Sequence, residues 1–174
     1  MSDAGAKSAN AVNFGEKFAE SELFQKVFAE GMALVEETAS YLDGEGREQS
    51  RDLGRPTALS YATESMRLTT RLMQLASWLL LQRAVAQGEL KPQEARESSS
   101  KIPLKPPSGL PDRPNYDDLP EKLRDLIERG DTIYSRIYRI DMMLGQSQPR
   151  PVEGSNPVSE QMNRLQAAFN TEKS

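Results

Sequence analysis

The sequence predicts an all-α protein: a three-helix bundle with a long Pro-rich connection between helices 2 and 3 and a flexible C-terminal tail. Three observations carry this expectation. The run Met66 to Val85, MRLTTRLMQLASWLLLQRAV, repeats apolar residues three and four apart, which is the period of one helix face. Leu119, Leu123, Leu126, Gly130, Ile133, Ile137, Ile140 and Leu144 keep an unbroken heptad rhythm. Between the two, Pro92, Pro103, Pro106, Pro107, Pro111 and Pro114 forbid a continuous helix. No segment reads as a convincing strand. Amphipathic helices must cover their apolar faces, and three packed together do so.

Residues 1 to 20 form a flexible N-terminus, with 1 to 12 small, polar and expected to be disordered. Phe14 and Phe18, four apart, begin a helical turn or pack on the bundle. The bundle occupies 21–145, with helices at about 21–43, 57–87 and 118–144. Ser21 is the expected N-cap of helix 1. Phe24, Phe28, Gly31, Val35, Thr38 and Leu42 form its stripe, widened by Leu23, Val27 and Leu34. Gly44 ends it in the left-handed conformation that glycine adopts cheaply. Glu45 to Arg55, charged and glycine-punctuated, reads as a loop.

Pro56 and Thr57 open helix 2, with Thr57 as the cap, and Gly88 closes it. At 1.5 Å per residue it is roughly 45 Å long. It runs through Leu59, Ala62, Met66, Met73, Ala76 and Leu80, and leucines at 68, 72, 75, 79, 80 and 81 broaden its stripe. A helix so apolar is the central element, covered on several sides. Its other face carries Ser60, Thr63, Glu64, Arg67, Thr70, Arg71, Gln74 and Ser77. Small uncharged polar groups punctuated by arginine make a weakly hydrated surface that suits contact with another protein.

The connection over 89–119 is long enough to be either functional or mobile. Within it, Glu89 to Arg96 prolongs helix 2 after a break, with Pro92 in a first-turn position. Pro120 opens helix 3 behind Asp117 and Asp118, and Arg136 and Arg139 complement the other end of the dipole. Asp118–Lys122 and Asp125–Arg129 are four-apart pairs. Ile127, Tyr134 and Met143 broaden the seam, and Gly145 terminates it. The tail, 146–174, starts with linker prolines. A short amphipathic helix over 157–169 follows, carrying Val158, Met162, Leu165 and Phe169. Alone it is too short to hold its helix in water. Docking on its own bundle, binding a partner groove and remaining disordered are its three readings.

The chain has 174 residues, 37% of them hydrophobic, and a formal net charge of -4. Its pI of about 5.1 argues against nucleic acid as a partner. Cysteine and histidine are both absent. That removes disulfides, thiolate chemistry, the usual general base and the commonest metal ligand. A di-iron bundle with Glu-x-x-His pairs is excluded. The run Leu72 to Val85 lies between Arg71 and Arg83 and holds Gln74 and Gln82, too short for membrane insertion. No signal peptide is visible, which points to a cytoplasmic location.

Arg67, Arg71, Gln74 and Trp78 lie in one row, spaced four, three and four. Arginine and tryptophan are enriched in binding hot spots, so this row is the candidate partner-binding site. Val158, Met162, Leu165 and Phe169 are the candidate tail contact. The bland alternative has Trp78 packing at the core edge and the arginines pairing with helix 1 acids. Glu36, Glu37, Arg67 and Arg71 are the best candidates for a helical enzyme acting on a small anionic substrate. Against that, Glu36 and Glu37 straddle the stripe edge with no matching acidic pair on helix 2. A solvated face, or ion pairs with helix 2 arginines, explains them. Serine and threonine hydroxyls have no neighbouring base to activate them. No catalytic residue, metal or cofactor is expected.

The run 66–85, with LVEETASYLDGEGR (34–47) upstream, resembles the alphaproteobacterial RcdA (regulator of CtrA degradation) family. The resemblance covers helices 1 and 2 closely and helix 3, through LPEKLRDLI (119–127), more loosely. It implies a non-enzymatic adaptor with a three-helix bundle and a mobile C-terminal tail. Its implied partners are the ClpXP protease, an ATP-driven unfoldase with a peptidase chamber, the accessory regulators of that protease, and cell-cycle transcription regulators delivered as cargo. A cytoplasmic location concentrated at a cell pole belongs to the same implication. The family pattern assigns no catalytic residue. A homodimer is compatible with these readings, since three helices leave an apolar flank to cover.

Overall fold

The computed structural model describes residues 17–106 and 112–146, and every described element is helical. Ser21 caps the first long helix, α1 (Glu22–Asp43), by accepting from the Phe24 amide at 3.2 Å, while its hydroxyl donates to the Phe18 carbonyl at 2.6 Å. That reciprocal pair holds a helical turn at 17–19 against the bundle. There the Phe18 ring meets Phe24 (5.8 Å between centroids) and Trp78 (6.5 Å). The buried row of α1 is Phe24, Val27, Gly31, Leu34, Thr38 and Tyr41. It is shifted to one edge of the expected stripe, and Leu23 is 55% exposed.

Gly44 ends α1 at φ -112°, outside the left-handed region. It serves as a corner into a second helix, α2 (Glu45–Arg51), where a loop was expected. The physical reason lies in the acids and in Gly46. Glu45 and Glu48 sit in the first turn and Arg51 in the last, matching the dipole. Gly46 lets the α2 backbone press on two rings: a Cβ there would lie 2.7 Å from both Tyr41 Cε1 and the Tyr61 hydroxyl. Tyr41 donates its hydroxyl to Gln49 at 2.8 Å, and burial pushes its pKa up to about 12.

The central helix, α3 (Arg55–Ala86), starts two residues earlier than expected, behind Gly54, with Pro56 in its first turn. Gly88 follows it at φ 71°, the one described glycine in the left-handed region. A short helix, α4 (Pro92–Ser99), packs Ala95 beside Val85 at this end. A 3₁₀ turn (Tyr116–Asp118) then leads into α5 (Glu121–Gln146), whose seam is buried from Leu123 to Ile140 as its heptads require, with Leu144 partly buried.

Contacts fix the directions. Tyr41 of α1 lies near Tyr61 and Gly31 near Leu75 and Leu79, so α1 and α3 run antiparallel. Gly130 meets Leu68, and Trp78 meets Asp141, so α3 and α5 run parallel. Parallel neighbours need a crossover, and this is the task of the Pro-rich connection. It returns along α3 and is pinned as it goes. The Tyr134 hydroxyl accepts from the Lys105 amide at 3.0 Å and donates to the Lys105 carbonyl at 3.2 Å. Ser60 donates to the Pro114 carbonyl at 2.8 Å.

The core is centred where the three long helices meet, on Val27, Leu75, Trp78, Leu79, Leu123, Leu126, Ile133 and Ile137, all with almost no accessible surface. The orientation of α3 differs from the expected one. Ser60 and Glu64 are buried, because the returning connection covers that edge. Leu59, Met66, Met73 and Leu80 are instead exposed, at 70%, 72%, 67% and 51%. Met143, expected to broaden the seam of α5, is also more than half exposed.

Candidate interaction groove

The crossover leaves an open groove of about 920 Å³ between α3, α5 and the connection. Its floor is apolar, with Leu68, Ile127 and the Tyr134 ring, and Pro103 and Pro106 form one wall. Four cations line it, Arg67, Arg71, Lys105 and Arg113, against two carboxylates, Glu64 and Asp131. The chain as a whole is at -4, so the groove is a locally basic strip on an acidic protein.

The charges are wired through Arg113. Its Nη2 donates to Asp131 at 3.0 Å, and its Nε lies 3.4 Å from buried Glu64. Arg67 donates to the same Glu64 at 2.7 Å, and Arg71 donates to Asp131 while its guanidinium stacks 5.0 Å from the Tyr134 ring centroid. Each guanidinium has five N–H donors, and these contacts use only some of them. Arg67, about half exposed, and Arg71, about one-third exposed, both line the groove. The arrangement can grip a carboxylate by charge-assisted hydrogen bonds while the floor takes apolar side chains.

Of the sequence candidates, Arg67, Arg71 and Gln74 line the groove together. Trp78 is a correction: it has no accessible surface, and its indole donates to Asp141 at 2.8 Å. An indole one turn beyond Gln74 rotates onto the α5 side of the helix, where a buried N–H needs an acceptor. Val158, Met162, Leu165 and Phe169 lie outside the described residues, as do residues 1–16 and the rest of 147–174. Glu36 is exposed, and Glu37 gives its oxygens to Lys122 and to Arg129 (2.7 Å). The α1 acids therefore pair with α5 and not with the α3 arginines, a second correction; Glu30–Arg136 at 2.8 Å repeats the pattern. Arg129 and Lys122 hold the Glu37 carboxyl at about 2, and Glu37 in turn raises the pKa of Arg129. Glu36 and Glu37 are thus not brought together with Arg67 and Arg71. Sequence reasoning missed Lys105, Arg113, Asp131 and Tyr134. The signal for Arg113 was a lone arginine between prolines in the connection. The signal for Asp131 was an acid breaking a helix face one residue after a close-packed glycine.

Among the described residues no cluster of carboxylates could hold a metal ion, and no helix is long and apolar enough to cross a membrane. Fold and groove together define a crossover three-helix bundle with an open, charged groove. The chain belongs to the family described as "Protein of unknown function (DUF1465)", whose model matches residues 15–169. It is similar to RcdA from Caulobacter crescentus CB15, known from its crystal structure. The two are 48% identical, over 74% of this chain and 96% of that one, with a TM-score of 0.62. The chain is therefore a member of the RcdA family. No curated protein matches it.

Proposed function

We propose that this chain is a non-enzymatic adaptor that delivers cell-cycle regulatory proteins to the ClpXP protease for degradation. It works in the cytoplasm, concentrated at a cell pole, with ClpXP, accessory regulators of that protease and cargo proteins as partners. The likeness to RcdA over nearly all of that protein supports the reading. The observation that carries it furthest is the groove, where Arg67, Arg71, Lys105 and Arg113 outnumber the carboxylates above an apolar floor. Such a surface recognises an extended acidic segment of a partner. Val158, Met162, Leu165 and Phe169 supply a second contact on a linker, and two weak contacts joined by a tether gain avidity through effective concentration. Self-association belongs to the same reading.

The test is reconstituted degradation. Purified ClpXP and a cell-cycle regulator as cargo are incubated with and without the full chain. Faster cargo loss with the chain is expected, and a chain ending at Gly145 loses part of the gain. Arg67→Gln with Lys105→Gln should abolish it while leaving the folded helix content intact. These neutral changes are preferable to reversing Arg71, which would set two carboxylates together at Asp131. Cargo loss indifferent to the chain and its regulators would remove the adaptor reading.

A further inference from the structure

The ion pairs of the groove form one continuous chain. Arg67 donates to Glu64 Oε1 at 2.7 Å, and Arg113 Nε lies 3.4 Å from Oε2 of the same carboxylate. Arg113 then donates to Asp131 Oδ2 at 3.0 Å, and Arg71 donates to Oδ1. The order is therefore Arg67, Glu64, Arg113, Asp131, Arg71, with cation and carboxylate alternating throughout. Each carboxylate gives one oxygen to each of two arginines. The three inner members are engaged on both sides. The outer two, Arg67 and Arg71, are engaged on one side only. Among the described residues each of them makes a single side-chain hydrogen bond, although a guanidinium carries five donors.

Both ends of this chain sit on α3, one helical turn apart, where side chains at i and i+4 are neighbours. A third carboxylate with one oxygen for each end would repeat a pattern already present twice. It would also close the chain into a ring. The charges point the same way. Three arginines against two carboxylates leave an excess of +1. Exposed Lys105, which lines the groove and forms no ion pair among the described residues, raises the excess further. Glu64 and Asp131 are the acids lining the groove, and both already have their two oxygens engaged. The missing carboxylate must come from outside.

The surroundings say what brings it. Beside the arginines the lining is apolar, with Leu68, Ile127, the Tyr134 ring, Pro103 and Pro106. A small free acid would leave those groups wet. An extended peptide covers them, because its alternate side chains point the same way about 7 Å apart. An acid can then face the arginines while apolar side chains two residues to either side meet the floor and wall. We propose that a single acidic side chain of an extended partner segment, flanked in this way, seats between Arg67 and Arg71 and completes the ring. The proposal rests on the groove reading above and narrows it from an acidic segment to one carboxylate at one position.

The test is a nitrogen-15 NMR titration of the full chain with a pentapeptide blocked at both ends, leucine–alanine–glutamate–alanine–leucine. The Nε–H signals of Arg67 and Arg71 and the Lys105 amide should shift together, with Kd about 1 mM or tighter. The same peptide with glutamine for glutamate should bind roughly tenfold or more weakly, as expected for lost charge-assisted hydrogen bonds. Arg67→Gln and Arg71→Gln should each weaken the glutamate peptide by a similar factor. Arg136→Gln, which breaks the pair with Glu30 between α1 and α5, should leave binding unchanged. Sodium acetate should bind far more weakly than the peptide. Equal binding of the two peptides to the parent chain overturns the proposal, and that comparison needs no protein variant. Unchanged binding in either arginine variant overturns it too, as does no binding at about 10 mM peptide. Acetate binding as tightly as the peptide overturns the peptide segment as occupant. Neither protease nor cargo is present, so the adaptor role fails or stands separately, in the degradation assay.

Discussion

Replacing Trp78 with phenylalanine tests the placement of α3 in the bundle. The indole is fully buried, and its N–H donates to Asp141 Oδ1 at 2.8 Å, joining α3 to α5. A hydrogen bond to a charged acceptor contributes about 1.5–3 kcal/mol, and the lower end applies because half-buried Asp141 regains water when it loses the donor. The smaller ring also leaves a void beside Phe18, adding on the order of 1 kcal/mol. The expected loss is thus about 2.5 kcal/mol, or a fall in Tm of roughly 5–10 °C. Urea titration followed by circular dichroism measures it. Asp141→Ala strands the buried indole donor, so it should cost a similar amount. The double variant should then lose about 1 kcal/mol less than the sum of the two. The protein has a single tryptophan, so its native emission should be blue-shifted and protected from acrylamide. A Trp78→Phe chain within about 0.5 kcal/mol of the parent, or native emission matching that of the unfolded chain, would refute this packing.

Acid stability should report the α1–α5 ion cluster. The Glu37 carboxyl is held at about 2, below its ordinary value of 4.5, so its stabilisation is complete above 4.5 and is lost as pH falls toward 2. Glu37 is about one-third exposed, and solvent screening reduces the contribution to roughly 1 kcal/mol. Glu37→Gln should forfeit that amount at pH 7 and flatten the acid limb, as read by thermal unfolding across pH. Gly46→Ala should destabilise by about 1–3 kcal/mol despite its better helix propensity, because the new methyl meets the Tyr41 and Tyr61 rings. A gain in Tm for this variant would mean that α2 does not press on those rings.

How much of this was legible in the sequence depends on how each helix is buried. On α5 one stripe faces the core, so its heptads alone identified Leu123, Leu126, Ile133 and Ile137 as buried. On α3 apolar residues occur nearly all round, and periodicity cannot say which arc faces inward. The arc through Leu68, Leu72, Leu75 and Leu79 is the core, and the arc through Leu59, Met66, Met73 and Leu80 is surface. What decided between them was Ser60 and Glu64, drawn inside by the Pro114 carbonyl and Arg113. Those partners lie some fifty residues along the chain, beyond the reach of any local pattern. The same holds for the groove: Arg67 and Arg71 were readable as a row, but Arg113 and Asp131 join them only through the crossover. The α2 helix was hidden by Gly46, which local propensity counts against a helix and packing on Tyr41 and Tyr61 favours.

Because α5 runs parallel to α3 and antiparallel to α1, the chain enters and leaves the bundle at one end. Phe18 stacks near Trp78 there, and Arg96 donates to the Gly145 carbonyl at 2.9 Å beside it. The opposite end is formed by α2 and the start of α5. The described residues on both sides of the bundle, 17 and 146, thus belong to one pole of it, and α2 to the other.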